Sequence, residues 1–457
     1  MSRKIRPIPE SELKNYYEDA SKYLLKPWLT RPREFEPLIL GGEGARFYDA
    51  TGREYLDFLS QLFNVNLGFG NKKVVEAIKK QAGEVNYTKN TFLNIPKILL
   101  AKRLAEVTHE DLTKVFFSNS GTEANEAAFK MARIYTGRTK IISLWNSYHG
   151  STYASMTAGG VASNRSPFEP LVPGFFHIPP PNCYRCSFGL EYPDCGVRCA
   201  KFLEDTIKFQ GPETVAAFIA DPVVVAAGVL IPPKEYWPTI REICDKYGVL
   251  LILDEVIAGC GRTGKLFAYG HWNIVPDILT LAKGISNASV PLGATIMNKK
   301  IAGFFSEKQS FQHGFTYSGH ALACAAGLAA INAYIDDKIP ENAAKVGDYL
   351  LEALRGIQDR HETVGDVRGL GLIEGVEFVK DRTTKEPFVA KDPEAPLEER
   401  PMVALSDGCM EEGLLLMPAM SGSTIRMSPP LIITEEDVGK AMDIFERQIS
   451  KVEKKFL

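Results

Sequence analysis

Long apolar runs are scarce in this chain of 457 residues. The longest, 247–254 and 321–331, are too short or too rich in small residues to span a bilayer, which takes about 20 apolar residues in a row. No membrane partner is expected. Charge of one sign is scarce too: 53 Lys and Arg face 56 Asp and Glu, a formal net charge of -3. No basic stripe is available to follow a phosphate backbone, so no nucleic-acid partner is expected. The basic start (Arg3, Lys4, Arg6) has no apolar stretch behind it and does not read as a secretory leader, which makes the cytoplasm the expected location. Internal repeats and low-complexity segments are absent.

What is present suits a multi-domain α/β protein. The length exceeds what one small core organises. Residues 10–26, 72–82 and 96–107 are helical by apolar spacing. Gly41–Gly44 reads as a turn, and Arg46–Asp49 and Glu54–Phe58 as a hairpin around Ala50-Thr51-Gly52-Arg53. From 114 onward short apolar runs alternate with helical stretches. The strands expected are 114–118, 140–144, 215–220, 249–253, 277–281 and 292–297, with a helix over 123–135 after the first. That alternation points to an open, largely parallel sheet. An Ala-rich helix over 321–335 leads to an α+β tail over 340–457.

Several polar residues fall where such sheets bind ligands, outside the carboxyl ends of strands. Asp254 ends a run apolar enough to be a central strand, where a carboxylate is costly without a partner. A helix cap or a buried ion pair would also explain it. Lys283 follows 277–282. Lysines at strand ends are usually solvated, but a desolvated one is a nucleophilic amine. A lysine with an acid opposite a pyridinium nitrogen is how proteins hold pyridoxal phosphate. Ser118-Asn-Ser-Gly-Thr-Glu123 joins a strand to a helix. It reads either as an anion cradle involving Ser120, Gly121 and Thr122, or as a plain helix start capped by Thr122. Tyr148-His149-Gly150 offers a ring to stack on a planar group, or simply a buried aromatic. Thr316, after Phe315, offers a hydroxyl to a phosphate or to the cap of the next helix.

Together these elements resemble the class III aminotransferases, which are fold-type-I pyridoxal-phosphate enzymes. The resemblance rests on SNSGTEANEAAFKMAR (118–133), YHG (148–150), LLILDEV (250–256), GRTGK (261–265), DILTLAKGIS (277–286), PLGA (291–294), TYSGHALACAAG (316–327) and RMSPPL (426–431), in family order from about residue 35 to 450. It implies a large, mainly parallel mixed-sheet domain over 76–335. It also implies a smaller α+β domain built from both termini, 1–75 and 336–457. Pyridoxal 5'-phosphate would be the cofactor, held by Lys283 as a Schiff base. Asp254 would face the ring nitrogen, Val256 and Tyr148 the two ring faces, with His149 beside them. Ser120, Gly121 and Thr122 would bind the phosphate. Phe315 and Thr316 would reach the phosphate of a neighbouring subunit, which implies at least a homodimer with shared active sites; a tetramer stays open. Lys283 would act as base and then acid in ping-pong transfer from an amine to a keto acid. No metal is expected in this chemistry.

The substrate is less legible. Related chains often carry a glutamate in a Glu-Pro step facing an arginine ahead of Pro-Pro-Leu. Here the positions hold Asp221 and Arg426, to be read as a carboxylate site at Arg426 or as a structural ion pair between the two. Phe63 and Phe92 look like an aromatic pocket similar to that of the amine–pyruvate branch. The segment 183–199 is similar to that of the taurine–pyruvate and β-alanine–pyruvate group. An ω-amino acid or amine as donor and pyruvate as acceptor is the expectation. The alternatives are a 2-oxoglutarate-dependent 4-aminobutyrate or ornithine type, an aminomutase and a decarboxylase. Cys183, Cys186, Cys195 and Cys199, four of eight cysteines, fit a structural zinc site, two disulfides or free thiols, none bearing on catalysis.

Overall fold

The structure, a computed structural model, describes residues 6–28, 36–390, 392 and 395–457. Arg3 and Lys4 of the basic start lie outside them. The centre is a seven-stranded sheet of β1 (Leu112–Ser118), β2 (Lys140–Leu144), β3 (Phe175–Ile178), β4 (Val215–Ala220), β5 (Leu250–Asp254), β6 (Ile278–Leu281) and β7 (Gly293–Asn298). Their spatial order is β1-β7-β6-β5-β4-β2-β3. Only β7 runs against its neighbours; β6, β5, β4, β2 and β3 pair in parallel. The side chains of β4 and β5 are buried along their whole length, as expected of strands covered on both faces. β1, antiparallel to β7, runs in the same direction as the five parallel strands, so six carboxyl-terminal ends come to one edge. At or just beyond the ends of β1, β2, β4, β5 and β6 stand Ser120, Tyr148, Asp221, Asp254 and Lys283 respectively.

Helix α1 (Gly121–Thr136) packs its small residues, Ala124, Ala127, Ala128 and Ala132, against the sheet. It starts two residues before the expected 123 and ends at Gly137, whose φ of 68° is the left-handed cap that glycine favours. The six expected strands are present within a residue or two. The edge strand β3 escapes the apolar pattern because only Ile178 of its four residues is fully buried. Gly41–Gly44 is not simply a turn. Ile39–Glu43 is a strand paired with Arg46–Asp49, and Gly42 lies so close to Phe69 that an added Cβ would sit 2.5 Å from its ring.

The termini meet in smaller sheets. Leu414–Leu415 pairs in parallel with Glu54–Asp57, so strands from the two ends of the chain share one sheet. Val364–Gly369, Glu374–Asp381, Thr424–Met427 and Met417–Pro418 form an antiparallel sheet. Helices Ile339–Arg360 and Glu435–Phe456 belong to the same C-terminal part, the latter starting on a Thr434/Asp437 capping box. Among the described residues, no helix is long and apolar enough to cross a membrane.

Candidate active site

Asp254 lies at the end of β5, 3% exposed. Its Oδ2 accepts from Asn125 Nδ2 at 2.7 Å and meets His149 Nδ1 at 2.8 Å. Its Oδ1 accepts the backbone N–H of Val256 at 3.0 Å, which fixes where Val256 points. Asn125 in turn donates to the carbonyl of His149 at 2.8 Å and accepts from Thr280 Oγ1 at 2.8 Å. Among the described residues the side-chain partners of Asp254 are Asn125 and His149, with no lysine or arginine. A carboxyl group held in place in this way is suited to meet an incoming cationic N–H.

Lys283 begins the turn after β6 with φ 50°, a left-handed conformation uncommon for lysine. Burial pulls its amine down to about 8; Asp254 and Asp221 pull it back up, while Arg426 and Arg262 press it further down. A substantial neutral fraction therefore exists near neutral pH, which makes the amine a nucleophile. Its Nζ lies 5.5 Å from the Phe63 ring centroid, and the Arg426 guanidinium lies 5.1 Å from the same ring.

Arg426 is 6% exposed and donates from Nη2 to the carbonyl of Pro418 at 2.9 Å. Its Nε has no partner, and burial lowers its guanidinium to about 10. Among the described residues no carboxylate pairs with it, so the ion pair with Asp221 is not formed. Asp221 is instead turned toward His149 and Asp254: one oxygen of each acid and a ring nitrogen of His149 all lie within 4.8 Å of one another. Burial raises Asp221 to about 7, against the pull of His149.

The turn into α1 is capped by Ser120, whose Oγ accepts from the N–H of Glu123 at 3.3 Å; Thr122 does not cap. Thr122 Oγ1 instead meets Thr152 Oγ1 at 2.8 Å. An added Cβ at Gly121 would lie 3.0 and 3.1 Å from the two methyls of Val256, so this helix start sits against Val256. One at Gly150, at φ 140°, would lie 2.1 Å from Thr122 Oγ1. Tyr148 is half-buried, with its hydroxyl 2.9 Å from Ser151 Oγ and its ring 6.0 Å from that of Trp28.

Three expected residues stand apart. Phe315 and Thr316 occupy a surface turn tied to Asn90 and Tyr87 through their carbonyls. His320, not Thr316, is the N-cap residue of the next helix, and its side chain makes no capping bond. Phe92 is 60% exposed in the single chain. The four clustered cysteines are free and line one small cavity, with no three of them close enough to form a metal-ligand group. Sequence reasoning missed Asn125, Thr152 and Thr280. Asn125 carried a signal, since an asparagine among the buried alanines of a helix needs partners.

These residues fit pyridoxal phosphate. A partly neutral amine suits the aldehyde, and an acid held by Asn125 and His149 suits the ring nitrogen. A helix start with free N–H groups and hydroxyls suits the phosphate. Comparison with known proteins agrees. The family model for aminotransferase class-III matches residues 33–449. The chain is 38% identical over 446 residues to the taurine–pyruvate aminotransferase of Bilophila wadsworthia, covering 94% of this chain and 95% of that one. It is 35% identical over 416 residues to the putrescine–pyruvate aminotransferase of Pseudomonas aeruginosa, covering 89% of each. The taurine:2-oxoglutarate aminotransferase of Bifidobacterium kashiwanohense, solved with pyridoxal phosphate and glutamate, superposes with a TM-score of 0.91 at 33% identity. That superposition covers 99% of this chain and all of the other. The chain belongs to the class III aminotransferases, enzymes that use pyridoxal phosphate to move an amino group between an amine and a keto acid.

Proposed function

We propose that this aminotransferase takes the amino group of an ω-amino acid or amine, such as taurine, β-alanine or an aryl-alkyl amine, and passes it to pyruvate. The observation that carries the reading is Arg426: a buried guanidinium with no carboxylate partner among the described residues, sharing the Phe63 ring with Lys283. It suits one small anionic group placed a few ångströms from the reacting amine. 2-Oxoglutarate brings a second carboxylate. The other arginine felt by Lys283 is Arg262, which is committed to the carbonyls of Leu372 and Pro429 and to Ser60 and Asn66. That favours pyruvate, although the relative from Bifidobacterium uses 2-oxoglutarate.

Lys283 would hold the cofactor and, once displaced by the donor amine, remove the substrate proton and return it, as base and then acid. Asp254, fixed by Asn125 and His149, would keep the ring nitrogen protonated. Val256 and Tyr148 would bound the ring, and Ser120, Gly121 and Thr122 would hold the phosphate. When bound, pyridoxal phosphate supplies an electron sink next to the breaking bond. Phe63 would wall the donor side.

On this reading a second chain completes the site, since Phe315 and Thr316 sit in a surface turn. Tyr87, Phe92, Leu93, Ile95 and Tyr317 are exposed apolar residues, and Tyr87 meets Tyr317 edge to face beside Thr316. A homodimer that buries these residues and exchanges Thr316 between subunits, working in the cytoplasm, fits both features. A domain division near residues 75 and 335 goes with it.

The test is a panel of taurine, β-alanine, 4-aminobutyrate, 1-phenylethylamine and ornithine against pyruvate and 2-oxoglutarate. Turnover is expected with pyruvate. Turnover only with 2-oxoglutarate would overturn the acceptor, and product formed without any keto acid would point to an aminomutase or decarboxylase.

A further inference from the structure

His149 joins Asp254 through Nδ1, yet its Nε2 is buried with no partner among the described residues. Asp221 Oδ2 is likewise buried with no partner among them. The residues that carry these orphans belong, with Asp254, to a group in which one oxygen of each acid and one ring nitrogen of His149 fall within 4.8 Å of one another. Two unmet polar atoms in one dry spot are costly unless they serve each other directly or through a single water. The groups facing them are few. Asp221 feels the charges of His149, Asp254 and Lys283; Lys283 also feels Arg426 and Arg262, and His177 feels His149.

We infer that Asp221 is a positioning residue, the outer acid of an Asp221–His149–Asp254 relay that keeps His149 doubly protonated and thereby keeps Asp254 ionised. The inference rests on the proposed role of Asp254 at the ring nitrogen. It gives the shorter acid at position 221 a purpose other than pairing with Arg426. An imidazolium donating to Asp254 stabilises the carboxylate more than a neutral ring does. Burial opposes charging His149, but Asp221 and then Asp254 outweigh it and hold the ring above its ordinary value.

The test reads His149 directly, by the nitrogen chemical shifts of its ring in the whole protein, with and without pyridoxal phosphate. In the wild type both ring nitrogens should carry protons at about pH 7.5, one unit above the usual imidazole midpoint. In Asp221→Asn the ring should turn neutral at that pH, protonated at Nδ1 only. Turnover should fall about tenfold with little change in KM, equivalent to one pH unit of lost charge stabilisation. A neutral His149 in the wild type overturns the relay whether or not the variant folds. So does a variant whose His149 titrates as in the wild type. Asp254→Asn separates this inference from the reading beneath it. If that variant keeps full activity and an unchanged cofactor absorbance, the role of Asp254 fails, while the His149 shifts still report on Asp221.

Discussion

At the scale of single residues, the chemistry depends on how few charges share one buried space. Lys283→Ala should abolish turnover, and borohydride reduction of the wild type should leave the cofactor mass on the peptide that contains Lys283. Asp254→Asn should cut turnover by roughly a hundredfold or more, because an amide cannot stabilise a protonated ring nitrogen. The amine itself sets a pH dependence. Burial lowers Lys283 to about 8, so below that value the attacking neutral form declines about tenfold per pH unit. The rate at which cofactor-free protein captures pyridoxal phosphate should climb with pH and level off near 8. Arg426 contributes to the lowering. Arg426→Gln should therefore move the levelling point upward, toward the ordinary lysine value, and should also raise KM for the keto acid. A levelling point that stays put in the variant would mean that Arg426 does not act on the amine.

At the scale of elements, the parallel strands were legible because buried runs such as 215–220 and 250–254 leave no other reading. Asp254 was legible because a carboxylate at the end of such a run needs a partner; Lys283, of a type usually solvated at strand ends, stood out only beside it and through the family resemblance. What was not legible depends on contacts between distant segments. Nothing local in the sequence says that Asp221 turns to His149 rather than to Arg426, or that Phe92 is exposed in the single chain. The segment 60–63 is a second case. Ser60, Gln61 and Phe63 take φ of 47°, 59° and 58°, which costs energy for residues with side chains. Asp57 holds them there: it is fully buried and accepts the N–H of Leu59 at 3.0 Å, the N–H of Gln61 at 2.9 Å and Gln61 Nε2 at 3.0 Å. The ring this turn presents is Phe63, shared by Lys283 and Arg426. Asp57→Ala should leave these donors unmet and cost about 3 kcal/mol of stability by denaturant unfolding. At temperatures where it stays folded, KM for the donor should rise more than turnover falls. A variant with wild-type stability and KM would show that the strained turn keeps its shape without the acid.

At the scale of the whole molecule, the question is whether one chain makes a complete site. Lys283 and Asp254 lie at the carboxyl edge of the central sheet, whereas Thr316 sits on an exposed turn held by Tyr87 and Asn90. If Thr316 serves a neighbour, then Lys283→Ala and a Thr316→Val variant damage different halves of the same shared site. Each homodimer should be impaired, the first fully and the second through weaker cofactor binding. Refolded together, they should form mixed dimers in which one site combines an intact Lys283 from one chain with an intact Thr316 from the other. Random pairing makes half of the dimers mixed, with one good site in two, so activity should recover to about one quarter of the wild-type value per chain. The recovery should vanish when Leu93→Glu is added to both chains, because a carboxylate at a residue 76% exposed in the monomer is tolerated there but not in a buried apolar interface. If mixing never exceeds the sum of the parents although mixed dimers are present by mass, Thr316 acts within its own chain and the shared site is wrong.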